Sequence, residues 1–218
     1  MPSNMDIARN ELLKEAVVAM HGVLNKSFQL GLSEGANPST GALYGFRAGE
    51  ASAVVSEVQK FVDPQNMIGL DIGSDGNPIF PQTISVDYGS GWLGPLIQIH
   101  RDSKDLSMFT DASLDYVFSS HCWEDFTEEE KPKVLVEWIR VLKKGGFLIL
   151  LLPDEQRYRA NCAKEGTGSN PAHKDANFSM DKTRAIIQAD DCLRTSLKET
   201  YSIPTVGIYS FFIVFTKV

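Results

Sequence analysis

The chain has 218 residues, of which 43% are hydrophobic and 22% are charged. These proportions are typical of a folded globular protein, and a single domain of this length buries roughly 70% of the surface that its unfolded chain would expose. The formal net charge is -7, from 21 basic and 28 acidic residues. Because binding to nucleic acid or to anionic lipid depends on a basic surface, this balance argues against both kinds of partner.

Cysteine usage and the lengths of the apolar runs predict a cytoplasmic protein. Cys122, Cys162 and Cys192 are an odd number at wide spacing, so they suggest neither a disulfide framework nor a CxxC metal site. The longest apolar runs, residues 147–152 and 211–215, are far shorter than the ~20 residues of a membrane helix. The N-terminus shows no signal-peptide pattern. We therefore expect reduced thiols and no metal.

The N-terminal part, residues 1–62, is predicted to form a helical extension with a lid-like loop, within the same domain as a core over residues 63–218. Apolar side chains recur at helical intervals over residues 5–25. Glycine then recurs through residues 27–50, which is typical of a loop. A second helix is expected over residues 51–61.

From residue 67 onward the pattern changes to short apolar runs that end at acidic or turn residues. Runs of this kind are typical of buried strands in a parallel sheet. They read MIGLD, TISVD, LIQI, LDYVFSS and GFLILLLP. Between the last two, residues 127–142 have helical periodicity and a Thr127-x-x-Glu130 capping box. This arrangement predicts a strand, a helix and a parallel strand joined by a right-handed crossover.

The last third of the chain combines a featureless stretch with clear helix and strand signals. Residues 153–178 have no periodicity, so we predict a long loop that covers the active site. Ser179 is expected to cap a helix that runs to Ala189. The apolar alternation in residues 196–203 and 209–218 predicts a closing hairpin.

The stretch LDIGSDG predicts a strand that ends in a tight glycine turn beside an acid, Asp71. Glycine lets a ligand approach the backbone closely, and ligands of open parallel sheets bind beyond the carboxyl ends of the strands. The next strand ends in a second acid, Asp87, and an acid at that place accepts ribose hydroxyls. Two such acids flanking one glycine turn indicate a ligand that contains adenosine.

Four segments in this order resemble the class I S-adenosylmethionine-dependent methyltransferases, in particular the small single-domain ones. They are LDIGSDG for the glycine motif, ISVDY for the ribose-binding strand end, SLDYVFSSHCWEDF for the fourth-strand motif and WIRVLKKGGFLILLLPDE for the helix-turn-strand signature. The resemblance covers residues 67–154. It implies a Rossmann-like α/β fold with helices on both faces of a seven-stranded, mostly parallel sheet, an antiparallel last strand, and S-adenosylmethionine as the cofactor.

The resemblance also implies which residues contact the cofactor. The glycine motif would face its methionine part, the second strand end its ribose, and the loop after the third strand its adenine. The contacts implied in this way are Asp71, Gly73, Ser74, Asp87, Asp102, Ser103 and Ser119. Arg47, in the glycine-rich segment, is a further candidate because a guanidinium pairs well with a carboxylate.

Two histidines are candidates for proton transfer. His121 follows the fourth strand, beneath the expected sulfonium, and an imidazole exchanges its proton near neutral pH. His173 lies in the predicted cover loop and would approach the substrate from above. A hydrogen-bonded structural role is the alternative for His121. No metal ligand set is required for direct methyl displacement, which needs an aligned nucleophile and a held cofactor.

Asp75 departs from the family pattern, because it stands where the glycine motif has its second glycine. Two functions therefore stay open. One is methyl transfer to a hydroxyl oxygen of a small-molecule or glycan acceptor, and the other is an inactive adenosine-binding or regulatory protein on the same fold. A nicotinamide-dependent oxidoreductase would need G-x-G-x-x-G opening a full helix, which GSDGNPIFP lacks.

Overall fold

The computed structural model describes residues 50–88 and 99–218, together with three isolated helical residues nearer the N-terminus. The predicted helix over residues 5–25 lies, apart from those three, outside the described residues. The same holds for most of the glycine-rich segment, including Arg47.

Five α-helices and seven strands lie within the described ranges. A short 3-10 helix, Glu50–Val54, precedes the first α-helix. The helices are α1 (Val55–Val58), α2 (Lys131–Val141), α3 (Glu155–Glu165), α4 (Met180–Ala189) and α5 (Asp191–Ser196). The strands are β1 (Gly69–Ile72), β2 (Ile84–Asp87), β3 (Ile99–His100), β4 (Leu114–Ser120), β5 (Leu142–Pro153), β6 (Leu197–Val206) and β7 (Ser210–Lys217). No helix of the described ranges is long and apolar enough to cross a membrane.

The strands form one sheet in the order β3-β2-β1-β4-β5-β7-β6. The pairs from β3 through β5 are parallel, whereas β7 runs antiparallel to both β5 and β6. This confirms the mostly parallel seven-stranded sheet with an antiparallel last strand. Strand order reverses between β1 and β4, so the carboxyl ends of these two strands border the crevice in which such sheets bind ligands.

The sheet is covered on both faces, which explains why its central strands are continuously apolar. In β5, Leu148 and Leu150 join the hydrophobic cluster that contains α2, while Ile149 and Leu151 join the cluster on the other face, where Val58 of α1 packs. Successive side chains of a strand point to opposite faces, so a strand buried on both faces has no polar alternation. Helices on both faces of the sheet are thus confirmed.

Helix α2 begins where the sequence predicts a capping box. The backbone N–H of Thr127 donates to Glu130 Oε2 at 3.0 Å, and the N–H of Glu130 donates to Thr127 Oγ1 at 3.3 Å. Hydrogen bonds to the Glu130 carboxylate from the Thr127 N–H, the Lys104 ammonium and the Thr127 hydroxyl lower the pKa of Glu130 to about 2. The box itself forms a turn over residues 128–130, and the α-helix starts directly after it at Lys131. Trp138 and Leu135 lie fully buried on its apolar face.

The prediction of one long loop over residues 153–178 is wrong for its first half, which forms α3. Most side chains of this helix are exposed, so the sequence carries no apolar stripe. Its signals are at the ends. Asp154 Oδ1 accepts the N–H of Arg157 at 3.1 Å, and Gly166 closes the helix in the left-handed conformation with φ +68°.

The other boundaries follow the sequence more closely. Ser179 Oγ accepts the N–H of Lys182 at 3.2 Å and caps α4, and β6 and β7 form the predicted hairpin. The helix predicted over residues 51–61 is shorter than expected, since α1 has only four residues. Residues 73–83 connect β1 to β2 through turns and contain no helix, as expected from their two prolines.

Candidate active site

The carboxyl ends of β1, β2 and β4 lie side by side and bring the predicted cofactor-binding residues together. Ile72 of β1 pairs with Ser119 of β4 and with Val86 of β2. Directly after β1, the N–H of Gly73 donates to the carbonyl of Val86 at 3.0 Å. The glycine turn therefore leaves the sheet at the point where the strand order reverses.

Position 73 requires glycine, both because of the backbone conformation and because of the neighbouring side chain. Its φ is +76°, a conformation that side chains other than glycine rarely adopt. A Cβ at this position would lie 2.6 Å from the Cβ and 2.8 Å from the Sγ of Cys122. The turn thus packs directly on the residue that follows His121. Burial raises the pKa of the Cys122 thiol, which fits a packing role rather than a nucleophilic one.

Asp71 carries a carboxylate oxygen that has no hydrogen-bond partner among the described residues. Its side chain is only 2% exposed, and Oδ2 accepts the N–H of Ile79 at 2.6 Å, while Oδ1 is unpartnered. Burial raises the pKa of Asp71 well above its usual range, and the Ile79 bond opposes this. An orphaned acceptor at the end of β1 fits the ammonium group of an amino-acid ligand.

Asp87 lies at the end of β2 and is bonded to the glycine turn. Its Oδ2 accepts the N–H of Asp75 at 2.7 Å, and its Oδ1 accepts the N–H of Tyr88 at 2.6 Å. A carboxylate oxygen has a second lone pair, so Asp87 keeps capacity for ribose hydroxyls. Asp75 adopts φ +48°, and partial burial together with Asp87 raises its pKa.

Two of the predicted serines, Ser74 and Ser119, make hydrogen bonds at the strand ends. Ser119 is fully buried, and its hydroxyl donates to the carbonyl of Ile72 at 2.9 Å, which leaves only acceptor capacity for a ligand. Ser74 Oγ is hydrogen-bonded to Ser85 Oγ of β2. Both residues hold neighbouring strand ends together, and a contact of either with the cofactor stays a prediction.

The loop after β3 is anchored by its own backbone and by α2. Asp102 Oδ1 accepts the N–H of Lys104 at 2.9 Å, and the carbonyl of Ser103 accepts the indole N–H of Trp138 at 2.8 Å. The Asp102 side chain is 43% exposed, so its carboxylate remains accessible. These bonds fix the loop beside the strand ends, where an adenine contact is predicted.

His121 is held between three elements directly after β4. Its backbone N–H donates to the carbonyl of Leu151 at 2.9 Å. Its ring atom Nε2 lies 3.0 Å from Ser210 Oγ and 3.0 Å from Glu50 Oε2. It adopts φ +50°, and its side chain is 17% exposed. The contact with His121 is the main cause of a lowered pKa of Glu50.

His173 lies in the loop after α3, where its imidazole is nearly buried. Its Nδ1 is 2.8 Å from Oε2 of Glu155, which is itself fully buried in the first turn of α3. The ring of Tyr158 covers the imidazole at a centroid distance of 4.8 Å. The side chain of His173 is 6% exposed.

The structure brings the two predicted histidines to a shared carboxylate that the sequence did not reveal. Glu124 Oε1 lies 3.6 Å from His121 Nδ1 and 3.8 Å from His173 Nε2. Its side chain is 1% exposed, and burial raises its pKa well above the usual range. Glu124 belongs to a 3-10 helix, Trp123–Asp125, that follows β4. His121, Glu124, Asp125, Glu155 and His173 form what we term the histidine–carboxylate cluster.

Comparison with known proteins supports the fold and the domain type. Residues 51–150 match the family model described as a methyltransferase domain. The PH0226 protein of Pyrococcus horikoshii OT3 shares 16% identity over 76% of this chain and 88% of its own, with a TM-score of 0.58. No curated protein sequence matches the chain.

Two solved structures of S-adenosylmethionine-dependent methyltransferases are also similar. The protein from Aquifex aeolicus shares 16% identity over 75% of this chain and 88% of its own, with a TM-score of 0.55. The protein from Archaeoglobus fulgidus shares 16% identity over 79% of this chain and 96% of its own, with a TM-score of 0.55. At these identities the likeness concerns the fold.

The sheet topology and the glycine turn at its reversal point define a Rossmann-like methyltransferase fold. The match over residues 51–150 to a methyltransferase domain agrees with the resemblance found in the sequence, and the similar solved structures share this fold.

Proposed function

We propose that the chain transfers a methyl group from S-adenosylmethionine to a hydroxyl oxygen of a small-molecule or glycan acceptor. One observation carries the choice of oxygen. His121, at the end of β4, lies between two carboxylates, with Glu50 3.0 Å from Nε2 and Glu124 3.6 Å from Nδ1. An imidazole flanked by carboxylates is suited to accept a proton, and a hydroxyl nucleophile must lose one.

Three strand-end residues are proposed to hold the cofactor. The unpartnered Oδ1 of Asp71 would bind the ammonium of its methionine part, and Asp87 would accept the ribose hydroxyls. Gly73 would allow the tight turn between these acids, because its φ is positive and a Cβ there would clash with Cys122. When bound, the cofactor supplies an activated methyl group on a sulfonium.

The chain's own contribution to the reaction is alignment and one proton transfer. The acceptor hydroxyl would bind at Nε2 of His121, in exchange for its contact with Ser210 or Glu50. S-adenosylmethionine held by Asp71, Gly73 and Asp87 would supply the methyl group, and the imidazole of His121 would accept the proton that the acceptor hydroxyl loses. Positioning supplies most of the acceleration in such a displacement, and general-base catalysis contributes typically about 10² to 10⁴-fold.

The charge around His121 supports an uncharged acceptor. Glu50, whose pKa is lowered by its contact with His121, lies 3.0 Å from Nε2 of this histidine, and the chain as a whole is acidic. A phosphorylated acceptor would meet like charge in this region, whereas a sugar hydroxyl would find hydrogen-bond acceptors. A neutral polyhydroxylated acceptor is therefore proposed.

A second candidate is a regulatory protein that binds the cofactor without turnover. Asp75 favours it, because this residue departs from the family's glycine motif and its N–H is bonded to the acid expected to hold the ribose. This candidate predicts cofactor binding with no methylated product from any acceptor.

The experiment is transfer of a labelled methyl group from S-adenosylmethionine to a panel of sugars, phenols and primary amines. We expect product from hydroxyl acceptors and a loss of about 100-fold or more in His121→Asn. His100→Asn is the matched control, because His100 is exposed at the end of β3 and should leave the rate unchanged. Transfer to amines alone would contradict the choice of oxygen, and cofactor binding without any product would favour the regulatory candidate.

A further inference from the structure

Three potential metal ligands converge within the histidine–carboxylate cluster. A carboxylate oxygen of Glu124, one of Asp125 and a ring nitrogen of His173 all lie within 4.8 Å of one another. His173 Nε2 is 3.8 Å from Glu124 Oε1 and 3.9 Å from Asp125 Oδ1. Ligands at about 2.1 Å from a shared ion stand roughly 3 to 4 Å apart, so the two separations from His173 Nε2 suit one cation.

The imidazole of His173 is oriented for ligation. Its Nδ1 lies 2.8 Å from Glu155 Oε2. With a carboxylate as partner, this nitrogen carries the ring proton and donates a hydrogen bond to Glu155. The lone pair is then on Nε2, which is the atom that faces Glu124 and Asp125. Arg159 Nε forms an ion pair with the other oxygen of Glu155 at 2.7 Å, without the geometry of a hydrogen bond. A carboxylate that orients a histidine in this way is the usual outer-shell partner of a metal ligand.

Glu124 supplies an independent sign of a ligand site in the cluster. It is 1% exposed, and neither of its carboxylate oxygens has a hydrogen-bond partner among the described residues. Asp125 Oδ1 is likewise buried and unpartnered. No lysine or arginine within 50–88 and 99–218 forms an ion pair with Glu124. A buried carboxylate with no partner is costly, and a bound cation removes that cost.

We propose that Glu124, Asp125 and His173 bind one first-row divalent cation, Zn²⁺ or Mn²⁺, with Glu155 as the residue that positions His173. A set of one imidazole and two carboxylates suits these ions better than it suits softer metals, which prefer thiolate ligands. No short sequence motif marks this site, because His173 lies far along the chain from the adjacent Glu124 and Asp125. The ion would tie the 3-10 helix after β4 to the loop after α3.

The site does not depend on methyl transfer, so it is tested by binding alone. Chelator-treated protein is titrated with MnCl2 and ZnCl2 by calorimetry, and bound Mn²⁺ is followed by electron paramagnetic resonance. We expect one site of micromolar affinity or tighter, with a rise in melting temperature. Glu124→Gln and His173→Gln should each weaken binding at least tenfold. Glu129→Gln, an exposed neighbouring glutamate, is the matched control and should bind as the wild type does.

Folding of the variant is checked in the same experiment. Glu124→Gln removes a charge from a buried site, so its metal-free form should melt at the same temperature as the metal-free wild type or higher. A loss of metal binding in a variant that melts normally then reports on the site. Absence of binding to the wild type, or equal binding by Glu124→Gln and the wild type, would overturn the proposal and leave protonation as the way Glu124 is neutralised.

Discussion

The backbone N–H of Asp75 donates to Asp87 Oδ2 at 2.7 Å, which joins the one departure from the family's glycine motif to the acid proposed to hold the ribose. Asp75 adopts φ +48°, so it occupies the left-handed conformation for which the family uses glycine. The proximity of Asp87 also contributes to the raised pKa of Asp75. The substitution therefore preserves the shape of the turn but adds a carboxyl group beside the proposed ribose site.

Asp75→Gly should strengthen cofactor binding. The glycine keeps the turn at no steric cost and removes a like charge next to Asp87. We expect S-adenosylhomocysteine to bind about threefold to tenfold more tightly, a change of roughly 1 kcal/mol measured by calorimetry. Asp75→Asn is the control, because asparagine tolerates the left-handed conformation and removes only the charge. Equal or weaker binding by Asp75→Gly would show that the turn's acid does not oppose the cofactor.

Gly73→Ala should destabilise the protein more than Gly145→Ala. Both glycines have positive φ, +76° and +81°, so each substitution incurs a backbone cost of about 1 to 2 kcal/mol. Only at Gly73 would the new Cβ also clash with Cys122, whereas nothing lies within 4 Å at Gly145. Overpacking adds about 1 to 3 kcal/mol to the loss in unfolding free energy, measured in urea. Equal losses in the two variants would mean that the turn relaxes away from Cys122.

Asp71→Asn should change how stability depends on pH. Because burial raises the pKa of Asp71 in the folded state, the folded chain retains a proton that the unfolded chain has lost. The unfolding free energy of the wild type should therefore fall as pH rises from about 4 towards the folded-state pKa. Asparagine does not titrate and still offers an oxygen to the Ile79 N–H.

The measurement is the unfolding free energy of both proteins across that pH range. Relative to the wild type, the unfolding free energy of Asp71→Asn should rise by about 1.4 kcal/mol per pH unit between about pH 4 and the folded-state pKa of Asp71. Above that pKa the difference between the two proteins should stay constant. The variant should also bind S-adenosylhomocysteine more weakly, since it loses the unpartnered carboxylate oxygen. Parallel stability curves for the two proteins would contradict the raised pKa.

Lys217→Met should destabilise the junction between α2 and β5. The ammonium of Lys217 donates to the carbonyl oxygens of Ile139 and Leu142, each at 2.7 Å, at the end of the helix. Loss of these bonds to partly buried carbonyls costs about 1 to 3 kcal/mol. Lys198→Met, on the exposed side of β6, is the control in thermal unfolding. Similar melting temperatures for both variants would indicate that water replaces the ammonium.

The strand pattern could be predicted from the sequence because burial on both faces leaves a local signature. Apolar runs identified β1, β2, β4 and β5, and the capping box at Thr127 located the start of the region that forms α2. Helix α3 was missed because its exposed surface shows no periodicity, although Asp154 and Gly166 marked its two ends. Cap residues would have been the better guide in this stretch.

The candidate site was predictable only where chain order places residues at strand ends. Asp71, Gly73 and Asp87 follow from the positions of β1 and β2. The role of Glu124 was not visible, because its surroundings come from α3 and from the loop that carries His173. Contacts between segments distant in the chain depend on tertiary packing, and no local pattern encodes them.

The most direct test of the proposed cofactor site is calorimetric titration of S-adenosylhomocysteine into the wild type and into Asp87→Asn, with NADH as the control ligand. Asparagine keeps the size of the side chain and an acceptor for the Asp75 N–H, but it loses the charge-assisted bonds to ribose hydroxyls. We predict micromolar binding to the wild type, binding at least tenfold weaker to Asp87→Asn, and none of NADH. Failure of the wild type to bind, or equal binding by both proteins, would contradict the assignment of Asp87 and the cofactor site built around it.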